Sequence, residues 1–260
     1  MDHHLISTLL YSILAIWIYM SCWFIVAVII KRNDTADVAW GFGFIVAALT
    51  ALVTNHNHKA IAIIAVILVA IWGLRLGIHI GLRNLKKPED QRYKIWRDTW
   101  GKWFYLRSYI QIFMLQGFLM FLVVFPVLVI ENYADKNFSP LLIIGALIWV
   151  FGFVFESIGD KQLKKFLIDP KNKGQIMMSG LWKYTRHPNY FGEITQWWGL
   201  AVIALSCRHG WIGLLGPITI TFLILKVSGV PLLEEYYDNN PAYQEYKLKT
   251  SVLVPLPQKK

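Results

Sequence analysis

Cysteine, metal-ligand clusters and nucleotide-binding signatures are scarce or missing in this chain. Only two cysteines occur in 260 residues, Cys22 and Cys207. Both lie in or beside apolar segments, which supports neither a disulfide framework nor a metal site. No histidine cluster has iron or zinc spacing, and this argues against metal-dependent desaturase or hydroxylase chemistry. The glycine motifs of P-loop and soluble dinucleotide-binding folds are also missing. The sequence thus argues against several soluble enzyme classes.

Long apolar segments dominate the chain instead. Hydrophobic residues make up 56%, mean hydropathy is +0.44 and there are twelve tryptophans, which is typical of a polytopic membrane protein rather than a soluble α/β enzyme with buried helices. We predict an all-α transmembrane helical bundle of about seven spans, one integral membrane domain over residues 1–260. The predicted spans are Leu5 to Ile30, Val38 to Val53, Ala60 to Leu82, Tyr109 to Ile130, Leu141 to Ile158, Ile194 to Ser206 and Trp211 to Val230.

Two of these segments could be interpreted differently. The first is uncharged and is followed by Lys31 and Arg32, the opposite of the charge order in a cleaved signal peptide, so we expect a retained span. The sixth is short and is joined to the seventh only by Cys207-Arg-His-Gly210. A tight helical hairpin is the first interpretation, and a six-span protein is the alternative.

Basic residues predict the orientation. With seven spans, 21 lysines and arginines fall on one side of the membrane and three on the other, so the first side is cytoplasmic. The amino terminus is then outside and the carboxyl terminus inside. The net charge of +10 follows from this asymmetry and does not imply nucleic acid. The three longer polar segments, residues 83–108, 159–193 and 232–260, are predicted to be cytoplasmic, and we expect the active site there.

The densest polar segment is Gly180 to Gln196, which lies between two apolar runs. Pro188 disfavours a helical His187, so we expect a turn and then a helix that starts near Asn189 as N-cap. Unpaired polar atoms near hydrocarbon are costly, which favours a function for this segment. Its polar side chains are Lys183, Tyr184, Arg186, His187, Asn189, Tyr190, Glu193 and Gln196.

Other polar side chains lie at the ends of predicted spans. Arg75 and His79 are spaced i, i+4 in the third span, and lining of a cavity is favoured over snorkelling of the arginine. Asp160 is followed one turn later by Lys164, with an internal ion pair as the equally weighted alternative. Nearly all such groups fall at the predicted cytoplasmic ends, and Glu131 is the exception. This asymmetry favours a cytosol-facing cavity for an anionic cofactor with phosphates over a transporter. The residues at the cytoplasmic ends are Asp37, Arg75, His79, Glu156, Asp160, His187, Asn189 and Glu193.

Several motifs together resemble the steroid 5-alpha-reductase family, most closely its bacterial membrane branch. They are Asp34 to Trp40, Trp72-Gly-Leu-Arg-Leu76, Glu89-Asp-Gln-Arg-Tyr93, Gly180-Leu-Trp-Lys-Tyr184, Arg186-His-Pro-Asn-Tyr-Phe-Gly-Glu193, Trp197-Trp-Gly199 and Gly229-Val-Pro-Leu-Leu-Glu234. The resemblance covers nearly the whole chain. A similar Arg-His-Pro-x-Tyr turn also occurs in isoprenylcysteine carboxyl methyltransferases, which use S-adenosylmethionine.

The resemblance implies a seven-helix membrane enzyme that binds NADPH on its cytosolic side and reduces a carbon–carbon double bond conjugated to a ketone in a steroid-like or isoprenoid lipid. It implies cofactor contacts for Asn189, Glu193, Asp160 and Lys164, and it matches Arg75 and His79 to an Arg-x-x-x-Tyr pair. Arg186 and His187 complete the predicted cofactor-binding set. The family's carbonyl-polarising Glu and Tyr have no evident counterpart, because the second span has Asp37 but no Glu and Trp72 stands at the Tyr position.

The predicted reaction is hydride transfer from NADPH to the β-carbon of an enone, with a general acid at the carbonyl. Candidates for the acid are Asp37, His79 and Tyr190. The expected location is a bacterial inner membrane, with the active site facing the cytoplasm, and no metal is expected. Two alternatives are an S-adenosylmethionine-dependent methyltransferase acting on a lipid or prenylated thiol, and a non-enzymatic lipid-binding membrane protein.

Overall fold

The computed structural model describes residues 3–57, 59–85 and 87–259 and is 80% helical. Among these residues there is no β-strand, and one isolated bridge joins Thr185 and Ser251. The predicted all-α class is therefore confirmed. The described α-helices are α1 His3–Ile30, α2 Thr35–Asn55, α3 Ala60–Leu85, α4 Gln91–Trp100, α5 Phe104–Arg107, α6 Leu115–Val123, α7 Phe125–Tyr133, α8 Pro140–Ile168, α9 Pro188–Ala204, α10 Leu215–Phe222, α11 Val230–Tyr236 and α12 Pro241–Lys249.

Six helical segments of the described chain are long and apolar enough to cross a membrane: His4–Ile30, Thr35–Asn55, Ala60–Leu85, Gln91–Val123, Pro140–Ile168 and Gly210–Tyr236. The predicted sixth span corresponds to α9, which has only 17 residues. The seven-span count and the orientation therefore stay predictions. The fourth candidate begins well before the predicted Tyr109, because the chain remains helical from α4 through the π-helical turn Ser108–Met114 into α6.

The first of two compact units contains Met1–Leu142 and Ile203–Gly216. Glycines bring α2 and α3 into backbone contact within it. A Cβ atom on Gly41 would lie 2.7 Å from the carbonyl oxygen of Gly73, and one on Gly73 would lie 2.5 Å from the carbonyl oxygen of Gly41. Only small residues permit such an approach. The contact lies within Trp40-Gly-Phe-Gly-Phe44 on α2, and Arg75 lies two residues beyond the crossing point on α3.

The second unit contains Ile143–Val202 and Pro217–Lys260. Here α8 and α9 pack along a stripe of glycines. A Cβ atom on Gly152 would lie 2.6 Å from the carbonyl oxygen of Gly192, and one on Gly199 would lie 2.6 Å from that of Gly145. The spacing of seven residues repeats on both helices, so the contact extends along two helical turns. Buried Glu156 accepts a 2.6 Å hydrogen bond from Gln196 beside this stripe.

The carboxyl-terminal tail is joined to the loop that precedes α9. Asn240 caps α12 by accepting hydrogen bonds from the backbone N–H groups of Ala242 and Tyr243. After α12 the chain is extended, and the N–H of Arg186 donates to the carbonyl of Ser251 at 2.9 Å. Further along, the N–H of Leu256 donates to the carbonyl of Tyr184 at 3.0 Å. These bonds hold the tail and the loop together as one structural element.

Candidate functional site

The loop of residues 180–187 is shaped by contacts with α8. Gly180 has φ of +64°, a conformation that favours glycine, and a Cβ atom there would lie 2.5 Å from the side chain of Gln162. Gln162 accepts a 2.9 Å hydrogen bond from the N–H of Leu181. The indole of Trp182 donates to the carbonyl of Gly159 at 3.2 Å. These contacts fix the path of the polar segment before α9 begins.

Arg186 is the centre of a buried ion-pair network. Its Nε and Nη2 atoms donate to Oε1 of Glu234 at 2.8 and 2.6 Å, and Nη1 donates to the carbonyls of Lys247 and Thr250. Four of the five guanidinium N–H groups are thus engaged by the protein itself. The Nζ atom of Lys247 and the Nε2 atom of His187 lie 3.2 and 3.5 Å from the same carboxylate. The network attaches α11 and the tail to the start of α9.

Two tyrosines of α12 lie beside the ion-pair network. Tyr243 and Tyr246 are both buried, and the hydroxyl of Tyr246 donates to the carbonyl of Trp182. Burial, reinforced by the nearby Glu234 carboxylate, raises the pKa of Tyr243 to about 12. The phenol therefore stays neutral at physiological pH, and the negative charge in the network belongs to Glu234.

The N-cap of α9 lies two residues before the predicted Asn189. The helix begins at Pro188, and the carbonyl of His187 accepts the first intrahelical bond from the N–H of Phe191 at 3.0 Å. His187 rather than Asn189 is therefore the capping residue, because proline is favoured at the first helical position. The imidazole of His187 stacks on the ring of Tyr190, with the centroids 5.4 Å apart.

Four half-buried polar residues lie near the point where the start of α9 packs against α8. Gly159 permits the contact: a Cβ atom there would lie 3.2 Å from Pro188 and 3.3 Å from the backbone nitrogen of Asn189. Asp160 follows Gly159 directly, so the crossing brings it close to the first turn of α9. Asp160, Asn189, Tyr190 and Glu193 are all half-buried, which leaves part of each side chain accessible to a ligand.

The polar segment that follows Asp160, residues 161–183, is strongly basic. Between residues 161 and 183 there are six lysines and one acidic residue, Asp169. An exposed cationic segment beside half-buried amide and carboxylate groups suits a ligand that carries both phosphates and hydroxyl groups. All six lysines are exposed: Lys161, Lys164, Lys165, Lys171, Lys173 and Lys183.

The first unit contains a separate acid–tyrosine pair that the sequence prediction missed. The hydroxyl of Tyr93 on α4 donates to Oδ1 of Asp37 on α2 at 2.9 Å, and Tyr93 is only 4% exposed. Tyr93 lies in the segment predicted to be a soluble cytoplasmic loop, and its burial was not expected. The signal was present in Glu89-Asp-Gln-Arg-Tyr93, which carries part of the family resemblance.

Polar contacts hold α4 against the start of α2. Asp90 caps α4 by accepting from the N–H of Arg92, and Glu89 accepts from the backbone N–H of Asn33 at 2.7 Å. Arg97 on α4 pairs with the same Glu89 at 2.9 Å. Partial burial acts to raise the pKa of Asp90, but the hydrogen bonds from Arg92 outweigh it and hold that pKa below its usual value. The capping carboxylate of Asp90 therefore stays ionised at neutral pH, and α4 places Tyr93 beside Asp37.

The predicted site residues thus fall into two groups. The first unit contains Asp37, Arg75 and His79, the last two half-buried on α3. The second unit contains the other seven: Asp160, Lys164, Arg186, His187, Asn189, Tyr190 and Glu193. Of these, Arg186 and His187 are buried in the network around Glu234, whereas Lys164 is exposed. Within the part of the chain that the structure describes, no group of three or more His, Cys, Asp or Glu residues could hold a metal ion.

Comparison with known proteins defines the class. Residues 23–250 match the family described as "Protein of unknown function (DUF1295)", and the chain belongs to this steroid 5-alpha-reductase-like family. It is 25% identical over 124 residues to "3-oxo-5-alpha-steroid 4-dehydrogenase 1" of Bos taurus, which covers 47% of this chain and 45% of that protein. The family resemblance found in the sequence is confirmed.

A second relative is named for a different activity. The chain is 30% identical over 106 residues to "Probable O-methyltransferase ustE" of Ustilaginoidea virens, which covers 40% of this chain and 36% of that protein. The chain spans less than half the length of both curated relatives. No solved structure matches it significantly.

Proposed function

We propose that this protein is a membrane-embedded, NADPH-dependent reductase that saturates the carbon–carbon double bond of an enone in a steroid-like or isoprenoid lipid. The hydrogen-bonded pair of Asp37 and Tyr93 is the observation that carries the proposal. It provides, in the amino-terminal half, a carboxyl group and a phenol of the kind that the family resemblance implies for polarising a substrate carbonyl. Membership of a steroid 5-alpha-reductase-like family supports the same reaction.

NADPH would supply the hydride, and the residues of the second unit fit such a cofactor. Lys164 and the neighbouring exposed lysines offer cations for its phosphates. Half-buried Asp160 and Asn189 offer an acceptor and an amide for its hydroxyl groups and its carboxamide. Glu193 lies one turn after Asn189 on α9 and presents a further acceptor.

Arg186 and His187 would position the residues of this site. Arg186 uses four of its five N–H groups on Glu234 and on the tail carbonyls, which leaves little capacity for a phosphate. We therefore assign it a positioning role, in which it fixes the loop and the first turn of α9. His187 contacts the ring of Tyr190 and the same carboxylate, and so orients Tyr190.

Asp37 and Tyr93 would supply the proton that the substrate carbonyl oxygen accepts. When Asp37 is protonated, its carboxyl group can donate to the Tyr93 oxygen, and the phenolic hydrogen is then available to a substrate carbonyl. As a hydride adds to the β-carbon, the phenol transfers its proton to the carbonyl oxygen and takes one from Asp37. Water then protonates the α-carbon as the enol returns its proton, which restores Asp37 and leaves the saturated ketone.

The location follows from the same proposal. The six apolar helical segments suit an integral membrane protein, and a lipid-like substrate would reach the site from the bilayer. We propose a bacterial inner membrane with the cofactor site on the cytoplasmic side, which the distribution of lysine and arginine favours.

The second candidate is methyl transfer from S-adenosylmethionine to a lipid, favoured by the 30% identity to the methyltransferase named above. Thermal unfolding of the detergent-solubilised protein distinguishes the two, since a ligand at 100 times its Kd adds about 2.7 kcal/mol of stability. Stabilisation by NADPH but not by S-adenosylmethionine supports the reductase. The reverse result supports methyl transfer, and stabilisation by neither leaves a lipid-binding role.

A further inference from the structure

A polar cavity of about 410 Å³ lies in the first unit, at the ends of α2 and α7 and the start of α1. It includes Glu131, the polar exception noted in the sequence. Among its described lining residues there is no lysine or arginine, so the lining offers the carboxyl group of Glu131 without a permanently charged cation. The lining residues are His4, Leu5, Asn55, His56, Asn57, Glu131, Asn132 and Tyr133.

Glu131 is buried without a hydrogen-bond partner for its carboxyl group. The residue is 1% exposed, and neither carboxyl oxygen accepts a hydrogen bond from any described residue. Its backbone carbonyl, by contrast, accepts from Nδ2 of Asn57 at 3.0 Å. An ionised carboxylate in this position costs several kcal/mol unless a cation or a hydrogen-bond donor pairs with it.

The surrounding amides use most of their N–H groups in other hydrogen bonds. Nδ2 of Asn55 donates to the carbonyl of Ala51 at 3.0 Å and to the hydroxyl of Thr8 at 2.8 Å, and Nδ2 of Asn132 donates to the carbonyl of Leu128 at 2.8 Å. These backbone acceptors one turn earlier fix the orientation of both amides. Their Oδ1 atoms are therefore acceptors.

Thr8 adds to the shortage of hydrogen-bond donors around Glu131. Its single hydroxyl hydrogen faces three acceptors: the carbonyl of His4 at 2.9 Å, Oδ1 of Asn55 at 3.1 Å and Oδ1 of Asn132 at 3.2 Å. A hydroxyl group donates one hydrogen bond at a time. The cluster of Thr8, Asn55, Asn132 and Glu131 thus holds more acceptors than donors.

We propose that this cavity binds a primary ammonium group. Such a group carries one positive charge and three N–H donors, which match a carboxylate and the two acceptor-rich amides. A quaternary ammonium has the charge without the donors, and a metal ion lacks the cluster of ligands it needs among the described residues. The ammonium could belong to a free amine or to the headgroup of an aminophospholipid.

This inference does not depend on the proposed reductase activity. Asn55 ends α2, whereas Asp37 lies in its first turn, and at 1.5 Å per residue the two are about 27 Å apart along the helix. The ammonium site can therefore exist whatever reaction the protein performs, and its failure would leave the reductase proposal untouched.

Binding to the purified wild-type protein tests the inference. Ethanolamine, choline and ethylene glycol are titrated by calorimetry above the usual histidine pKa of about 6.5. In parallel, the protein is held in nanodiscs with phosphatidylethanolamine or phosphatidylcholine, and retained lipid is counted by native mass spectrometry. We expect ethanolamine or phosphatidylethanolamine to bind at least tenfold more tightly than its choline counterpart, with no binding of ethylene glycol.

The variant Glu131→Gln is expected to lose at least tenfold in that affinity, whereas Glu245→Gln, at an exposed glutamate of α12, should bind like the wild type. Preference for the free amine identifies a soluble ligand, and preference for the lipid alone identifies a headgroup. Equal binding of the ethanolamine and choline forms, or binding of neither, overturns the inference. This comparison uses the wild-type chain, so it decides the matter even where Glu131→Gln fails to fold.

Discussion

Arg186 and Glu234 lie 48 residues apart in the sequence and are joined by two hydrogen bonds of 2.8 and 2.6 Å between side chains that are 8% and 12% exposed. The pair links the loop before α9 to α11. Lys247 approaches the second oxygen of the same carboxylate at 3.2 Å, so the cluster carries an excess of positive charge around one acidic residue. Removal of Glu234 would leave that charge uncompensated.

We predict that Glu234→Gln lowers the free energy of unfolding by about 3 kcal/mol, because removing one partner of a buried ion pair strands the other. Arg186→Lys should also destabilise the protein, since lysine cannot form the paired guanidinium bonds. The matched control is Glu245→Gln, which breaks the exposed pair with Lys249 and should change stability by less than about 1 kcal/mol. Urea unfolding in detergent measures all three.

Substitutions at the acid–tyrosine pair separate chemistry from cofactor binding. Tyr93→Phe removes the hydrogen bond to Asp37, and we predict a loss of about 10²- to 10⁴-fold in kcat for enone reduction with NADPH affinity unchanged. Asp37→Asn should have a similar effect. Tyr105→Phe, at an exposed tyrosine of α5, is the control. Wild-type turnover in Tyr93→Phe would exclude the pair from the reaction.

The cofactor assignment of Lys164 predicts a charge effect. We expect Lys164→Glu to weaken NADPH binding by about 10- to 100-fold, the equivalent of one charge-assisted hydrogen bond, and the loss should shrink as salt rises. Lys173→Glu makes the same charge change at another exposed lysine of the second unit and should have a smaller effect. Equal losses in both variants would indicate a general electrostatic attraction instead of a contact at Lys164.

The packing of α8 on α9 predicts a steric effect. A Cβ atom at Gly192 would lie 2.5 Å from the backbone nitrogen of Glu156 and from the carbonyl oxygen of Gly152, so Gly192→Ala should cost about 1 to 3 kcal/mol of stability. Gly81→Ala on α3 is the control, because a Cβ atom there would meet its nearest neighbour at 3.7 Å. That variant should be neutral or stabilising by up to about 1 kcal/mol. The two are compared by their unfolding midpoints.

Much of the helical architecture could be predicted from local patterns. Long apolar runs locate the first three spans within a few residues of α1, α2 and α3, because hydrocarbon thickness sets their length. Glycines in apolar helices permit a close backbone approach, and Gly41 makes one with Gly73. The helical path that leads into the fourth candidate segment begins before the predicted Tyr109, since α4 carries charges and still continues toward α6.

The site was less predictable, because its contacts join residues far apart in the chain. Arg186 and Glu234 were each recognised within a motif, but nothing local indicates that one pairs with the other. Tyr93 was assigned to a soluble loop, since burial of its phenol depends on α4 packing against the start of α2. The capping residue of α9 moved from Asn189 to His187 because Pro188 itself adopts the first helical position.

Transfer of an isotopic label shows whether the protein reduces a lipid with NADPH or methylates it. The purified protein is incubated with a lipid extract from membranes that express it, in one reaction with NADPH deuterated at the nicotinamide C4 and in another with methyl-labelled S-adenosylmethionine. Mass spectrometry of the lipids then follows each label. We predict that deuterium enters a lipid product at a reduced double bond, that Tyr93→Phe abolishes this transfer, and that no labelled methyl group is incorporated. Incorporation of the methyl label without deuterium would exclude the reductase in favour of methyl transfer.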